Sequence, residues 1–180
     1  MKSPYSKKEF IPMTEYENSG SEVKARYDEQ IETHGRITNM KRTMLHAPKV
    51  FDVYMEWYAL RDMLAEFLSD RAVSLFAYAI SNGTNCLVCG TFFRKILIDN
   101  GENPDNPELS ETERFLMSFG QELAKSPHNI PQNLYQYLEN HFTREQQVLL
   151  IGFAGQMVAT NLFNTVAKVP LDEVLYSYKK

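Results

Sequence analysis

Two cysteines three positions apart, Cys86-Leu87-Val88-Cys89, are the only ones in the 180 residues. On one helical turn that spacing brings two sulfurs close enough to bond, so the pair can cycle between dithiol and disulfide. Gly83 precedes it, and Thr84 or Asn85 suits the cap of a helix running CLVCGTFFRKILIDNG to Gly101. Both cysteines then fall in a first turn, where unpaired amides and the positive end of the helix dipole stabilise a thiolate. The thiolate is the species that attacks peroxides and disulfides. Cys86, nearer the start, is expected to be the more exposed, and Cys89 to lie nearer the core.

Other chemistries of a Cys-x-x-Cys pair fit less well. A thioredoxin-like site calls for a preceding strand, but a helical pattern precedes this pair. A zinc site needs two further ligands, and His34, His46, His128 and His141 are scattered singly, so no metal or organic cofactor is expected. The strongest competing reading is two buried small hydrophobes without chemistry, because cysteine is among the most buried residue types.

The elements that position the pair read as helices throughout. Segments 21–34, ended by Gly35, and 39–46 are short helices; Pro48 opens a long one over PKVFDVYMEWYALRDMLAEF; Ser69 caps the next, which ends at Gly83. Ser110 with Glu113, and Thr143 with Gln146, have capping-box spacing and open helices through about Lys125 and to near Pro170, with a short helix after Pro131 between them. The last helix is apolar on nearly all sides, which predicts burial. With no alternating strand pattern, the expected fold is an all-α bundle of seven or eight helices, one domain over 21–180 behind an N-terminal arm over 1–20.

Charge and composition exclude whole classes of partner. The net charge of −4 and pI near 5.6 argue against general attraction to nucleic acid or anionic lipid. The opening MKSPYSKKEFIPM has no apolar signal region, and no unbroken run of about 18 apolar residues suggests a membrane span, so the expected compartment is the cytoplasm.

The segment SNGTNCLVCGTFFRKILIDNG resembles the core motif of the alkylhydroperoxidase AhpD-like, carboxymuconolactone decarboxylase superfamily. HGRITNMKRTMLHAPKVFDVYMEWY is similar to its upstream helices. LSETERFLMSFGQELAKSPHNI and FTREQQVLLIGFAGQMVATNLFNTVAKVPLD are similar to the downstream half of its peroxidase-related members, and the match runs in order over residues 30 to 172. The resemblance implies an all-α homo-oligomer (dimer, trimer or hexamer) with the cysteine helix near a subunit interface. It also implies a peroxiredoxin-like antioxidant activity, in which Cys89 attacks a small hydroperoxide, Cys86 resolves it as a redox-active disulfide, and a dithiol protein reduces the pair.

Two positions depart from that motif. Ser74 stands where it has a glutamate twelve residues before the first cysteine, and Phe93 where it has a histidine four residues after the second. General-base help, typically worth roughly 10²- to 10⁴-fold, is therefore missing at those places. Ser74 retains a hydroxyl able to bond a sulfur or water, while Phe93 can neither take nor orient a proton. His46 and His141 are the distant candidates for a base, and Arg94 and Lys95, about one turn along, for support of a thiolate. Asn161 and Asn164 are buried polar candidates in the apolar last helix. Phe92, Phe93, Phe76, Tyr78 and Trp57 read as core or as the wall of an apolar pocket beside Cys89. Two alternatives stand beside the peroxidase reading: a carboxymuconolactone decarboxylase-like enzyme, and a non-catalytic homo-oligomeric redox-sensing or binding protein.

Overall fold

The computed structural model describes residues 9–180, and among these the chain is all-α, with no strand. Nine α-helices follow one another: α1 Ser21–His34, α2 Asn39–Met44, α3 Pro48–Glu56, α4 Ala59–Ala65, α5 Asp70–Gly83, α6 Leu87–Asp99, α7 Glu111–Lys125, α8 Gln132–His141 and α9 Arg144–Ala167. A 3-10 helix, Glu173–Tyr178, closes the chain. Of the expected N-terminal arm, residues 1–8 lie outside the described residues. The rest runs beside the end of α9, where the Phe10 and Ile11 amides both donate to the Ala167 carbonyl.

Local hydrogen bonding sets most helix ends. Gly35 leaves α1 at φ 71°, a left-handed turn that glycine adopts at no steric cost. The Ser69 hydroxyl accepts from the Ala72 amide, and both reciprocal capping boxes are formed, Ser110 with Glu113 and Thr143 with Gln146. The count exceeds the expected seven or eight because the long helix from Pro48 breaks. At Trp57 and Tyr58 the backbone tightens to three-residue bonds, Tyr58 N to Met55 O and Leu60 N to Trp57 O, which separates α3 from α4. Adjacent bulky aromatics are weak helix formers; Trp57 packs against Tyr54 at 5.8 Å, and the Tyr54 ring lies 6.2 Å from Phe163 of α9. Trp57, expected in the core, remains 40% exposed.

The main core lies where α5, α7 and α9 meet. Phe76 is fully buried, stacked between Phe119 of α7 at 6.2 Å and Phe153 of α9 at 5.9 Å. The α5–α7 approach is close enough that a Cβ at Gly83 would stand 2.6 Å from the Ala124 Cβ, so only glycine fits there. Arg71 of α5 bonds both Glu102 and Glu113, tying the start of α5 to the start of α7. A second core cluster, including Tyr27, Met40, Phe51 and Ala167, joins α1–α3 to the end of α9.

Contrary to the burial expected of it, α9 is two-sided. Its inner face, with Gln156, Thr160, Asn161 and Asn164, is buried, while Val148, Ile151, Leu162 and Val166 stand 51–69% exposed. By length and composition alone it could cross a membrane, although 44% of the qualifying stretch is buried inside this fold.

Candidate active site

The cysteine pair sits at a junction made by two helix ends. Asn85 lies at φ 55°; its amide donates to Asn82 O at 3.1 Å and the Cys86 amide to Ser81 O at 3.0 Å, a Schellman-type close for α5. The next helix begins at once, since the Gly90 amide bonds the Cys86 carbonyl at 2.9 Å. Cys86 is therefore the N-cap of α6, not a first-turn residue, and Cys89 is the third residue of the helix. Because Asn85 must be left-handed, Asn85→Gly is expected to be nearly neutral. Asn85→Val, β-branched in that region, is expected to cost about 1–2 kcal/mol in urea unfolding and to slow thiol alkylation by displacing the cap.

Both thiols are free, near 3.7 Å apart, and almost without surface, 3% for Cys86 and 7% for Cys89. The expected order of exposure is not found; their neighbours distinguish them instead. Cys86 helps to line a cleft of about 220 Å³, together with Tyr78, Ser81, Asn82, Gly90 and Arg94, whereas Cys89 is not part of that lining. Behind it, the Asn164 side-chain amide of α9 donates to Cys89 Sγ at 3.2 Å and to Met40 Sδ at 3.3 Å. The Asn164 carbonyl oxygen is buried without a hydrogen-bond partner.

Electrostatics separates the two sulfurs. Hydrogen bonding from Cys89 is the largest influence on Cys86 and, with the amides of Cys89 and Val88 and the Thr165 hydroxyl, outweighs burial and brings it down to about 7. No strict side-chain cap bond is formed, so these amides act on the sulfur at less than ideal geometry. Cys89 is pushed well up, first by the hydrogen bond its S–H donates to the Cys86 sulfur and then by burial, against an opposing effect of Asn164. Cys86 is thus the more acidic thiol of the pair. Tyr58 keeps 41% of its surface, but its hydroxyl end is enclosed; burial, then the charge of an ionised Cys89, pushes the phenol up to about 12.

The other candidates lie elsewhere in their bonding. Ser74 Oγ donates to Asp70 O at 2.8 Å within its own helix. Phe93 sits edge-on to Phe92 at 5.2 Å and packs on the core beside buried Phe76 and Tyr78. His46 Nε2 donates to the Pro12 carbonyl at 2.8 Å, and His141 stacks 3.9 Å from Tyr137. Lys95 is paired with Asp99. Arg94 does reach the cleft, but its guanidinium grips Asp105 through both nitrogens at 2.7 and 3.0 Å. Among the described residues, no histidine or carboxylate hydrogen-bonds either sulfur, and no cluster of three His, Cys, Asp or Glu side chains stands ready for a metal.

Asn161 and Asn164, legible as buried polar residues, prove to hold the junction: Asn161 Nδ2 donates to Thr84 Oγ1 at 2.9 Å, one turn before the Asn164–Cys89 bond. Thr165, Met40 and Tyr58 carried no signal in the sequence; only the packing of α9 and α2–α4 on α6 brings them to the sulfurs. A dithiol in this setting can hold one thiolate against a cleft and a proton-donating thiol beside it.

No family model and no curated protein matches the chain, but solved structures do. A peroxidase-related protein with an alkylhydroperoxidase AhpD core from Ralstonia eutropha JMP134 superposes with a TM-score of 0.74 at 18% identity, over 93% of this chain and 94% of that one. A peroxidase-related protein from Silicibacter sp. TM1040 gives 0.75 at 14% identity, over 92% of both chains. The debrominase Bmp8, in a cysteine-to-alanine variant complexed with 2,3,4-tribromopyrrole, gives 0.72 at 13% identity over 96% of both. At these identities the likeness is one of architecture: the protein has the AhpD-like all-α fold.

Proposed function

We propose that the chain is a thiol-dependent oxidoreductase that reduces small hydroperoxides through Cys86 and Cys89. The observation that carries this reading is the free pair near 3.7 Å apart at the start of α6, with the more acidic sulfur on the cleft. The Cys86 thiolate attacks the terminal oxygen of ROOH. The O–O bond breaks, ROH leaves with a proton, and Cys86 becomes a sulfenic acid. Cys89 then attacks that sulfur, water leaves, and the disulfide forms; an external dithiol protein returns two electrons and two protons by exchange. Closing the pair to the roughly 2.05 Å of an S–S bond asks only a small movement of adjacent side chains. With no base bonded to either sulfur, activation rests on the helix start and the thiol–thiolate hydrogen bond, so a modest peroxidase is expected.

Stopped-flow mixing of the reduced protein with cumene hydroperoxide tests the reading. One equivalent of peroxide is expected to be consumed, with loss of two hydrogens by intact mass. Consumption no faster than by free thiol, or loss that is independent of the cysteines, rejects it. Because debrominases share the fold, a brominated pyrrole belongs beside the peroxide: debromination without peroxide consumption would replace this reading.

A further inference from the structure

The outer face of α9 is apolar along its length. Val148, Gly152, Gly155, Ala159, Leu162 and Val166 recur at alternating steps of four and three residues, the seam of a helix pair, and all but half-buried Ala159 are exposed. From Gln146 to Ala167 there is no charged side chain. Two glycines in a helix interior are unfavourable relative to alanine, and this fold does not require them. A Cβ at Gly155 would meet nothing within 4 Å, and one at Gly152 would make only ordinary contact with Leu60 Cδ1 at 3.8 Å. Small residues at a seam let a second backbone come close.

We propose that α9 pairs antiparallel with α9 of a second copy of this chain, about a two-fold axis beside Met157. Centred there, the seam is complementary to itself: Leu162 of one copy meets Gly152 of the other, Ala159 meets Gly155, and Val166 meets Val148. A parallel pair would stack leucine on leucine and glycine on glycine, leaving a gap in mid-seam. The antiparallel arrangement also opposes the helix dipoles and brings the Glu145 end of one helix beside the Lys168 end of the other, unlike charges at both ends. A bilayer would require neither the glycines nor this pairing of large with small. The inference does not depend on the thiol chemistry, although Asn164 and Thr165 lie on the same helix.

Sedimentation velocity of the full reduced chain from about 1 to 100 µM is expected to show a dimer. Val148→Lys and Val166→Glu, at exposed positions, are each expected to weaken it by about 100-fold with an unchanged circular dichroism spectrum. The double variant is expected to recover the dimer, because only antiparallel pairing sets the new lysine against the new glutamate of the other copy. Gly155→Leu, in open space, is expected to be monomeric. A monomeric wild type, single variants that remain dimeric, or a folded double variant that stays monomeric would each overturn the proposal. So would a monomeric wild type that cosediments with phosphatidylcholine–phosphatidylglycerol vesicles, which would assign the face to a membrane.

Discussion

Cys86→Ser is expected to abolish the reaction with hydroperoxide, whereas Cys89→Ser is expected to keep a single turnover that ends in a sulfenic acid on Cys86. A serine hydroxyl is not ionised near neutral pH and cannot replace a thiolate as nucleophile, so the first loss is complete within detection. In the second variant the attacking sulfur remains on the cleft, but nothing adjacent can condense with its oxidised form, and excess peroxide carries it on to sulfinic acid. Stopped-flow consumption with intact-mass readout separates the two. The reverse outcome, a silent Cys89→Ser and a reactive Cys86→Ser, would restore the roles that the family resemblance implies and would mean that peroxide reaches Cys89 past the Asn164–Met40 side.

Cys89→Ala is expected to move the pH dependence of Cys86 alkylation from about 7 toward the usual thiol range, because the bond from Cys89 is the largest influence holding it down. The sign follows from the reacting species. The thiolate attacks, so the rate rises with pH through the thiol's pKa, and a raised pKa shifts the curve to higher pH. Moving from about 7 to about 9 would cut the thiolate fraction at pH 6 by roughly 100-fold; the greater nucleophilicity of the more basic thiolate returns up to tenfold, leaving a net loss of about tenfold. The two rates should cross near pH 8, and above pH 9 the variant should be the faster, by up to tenfold. Cys89→Ser keeps a hydroxyl donor and is expected to shift less. Rates with a bimane alkylating agent from pH 5 to 10 measure this, and superimposable curves would show that the helix start alone sets the acidity.

These effects depend on features of unequal legibility. The ends of α1 and α5 and the two capping boxes could be read from the chain because each is made by residues within a few positions of one another. The same reading failed where alternatives of similar local energy compete. Nothing nearby distinguishes a helix through Trp57 from one that breaks there, and the break lies one turn after Tyr54, whose ring meets Phe163 of α9. Thr84 or Asn85 looked like the cap of α6 by residue type, but the left-handed Asn85 belongs to the close of α5, and that passes the cap to Cys86.

By itself, then, the amino-acid sequence determined that the chain is helical, where most helices start and stop, and that its two sulfurs share one turn, since backbone hydrogen bonds and side-chain caps act over three or four residues. Tertiary structure alone decided which sulfur is the more acidic, that Asn164 reaches Cys89 across 75 positions, and that one side of α9 stays open. Hydrogen bonds to the sulfurs and loss of solvent around them depend on which distant segments arrive beside them. An apolar periodicity specifies that a face seeks cover, and only the packed chain shows whether its own neighbours supply it.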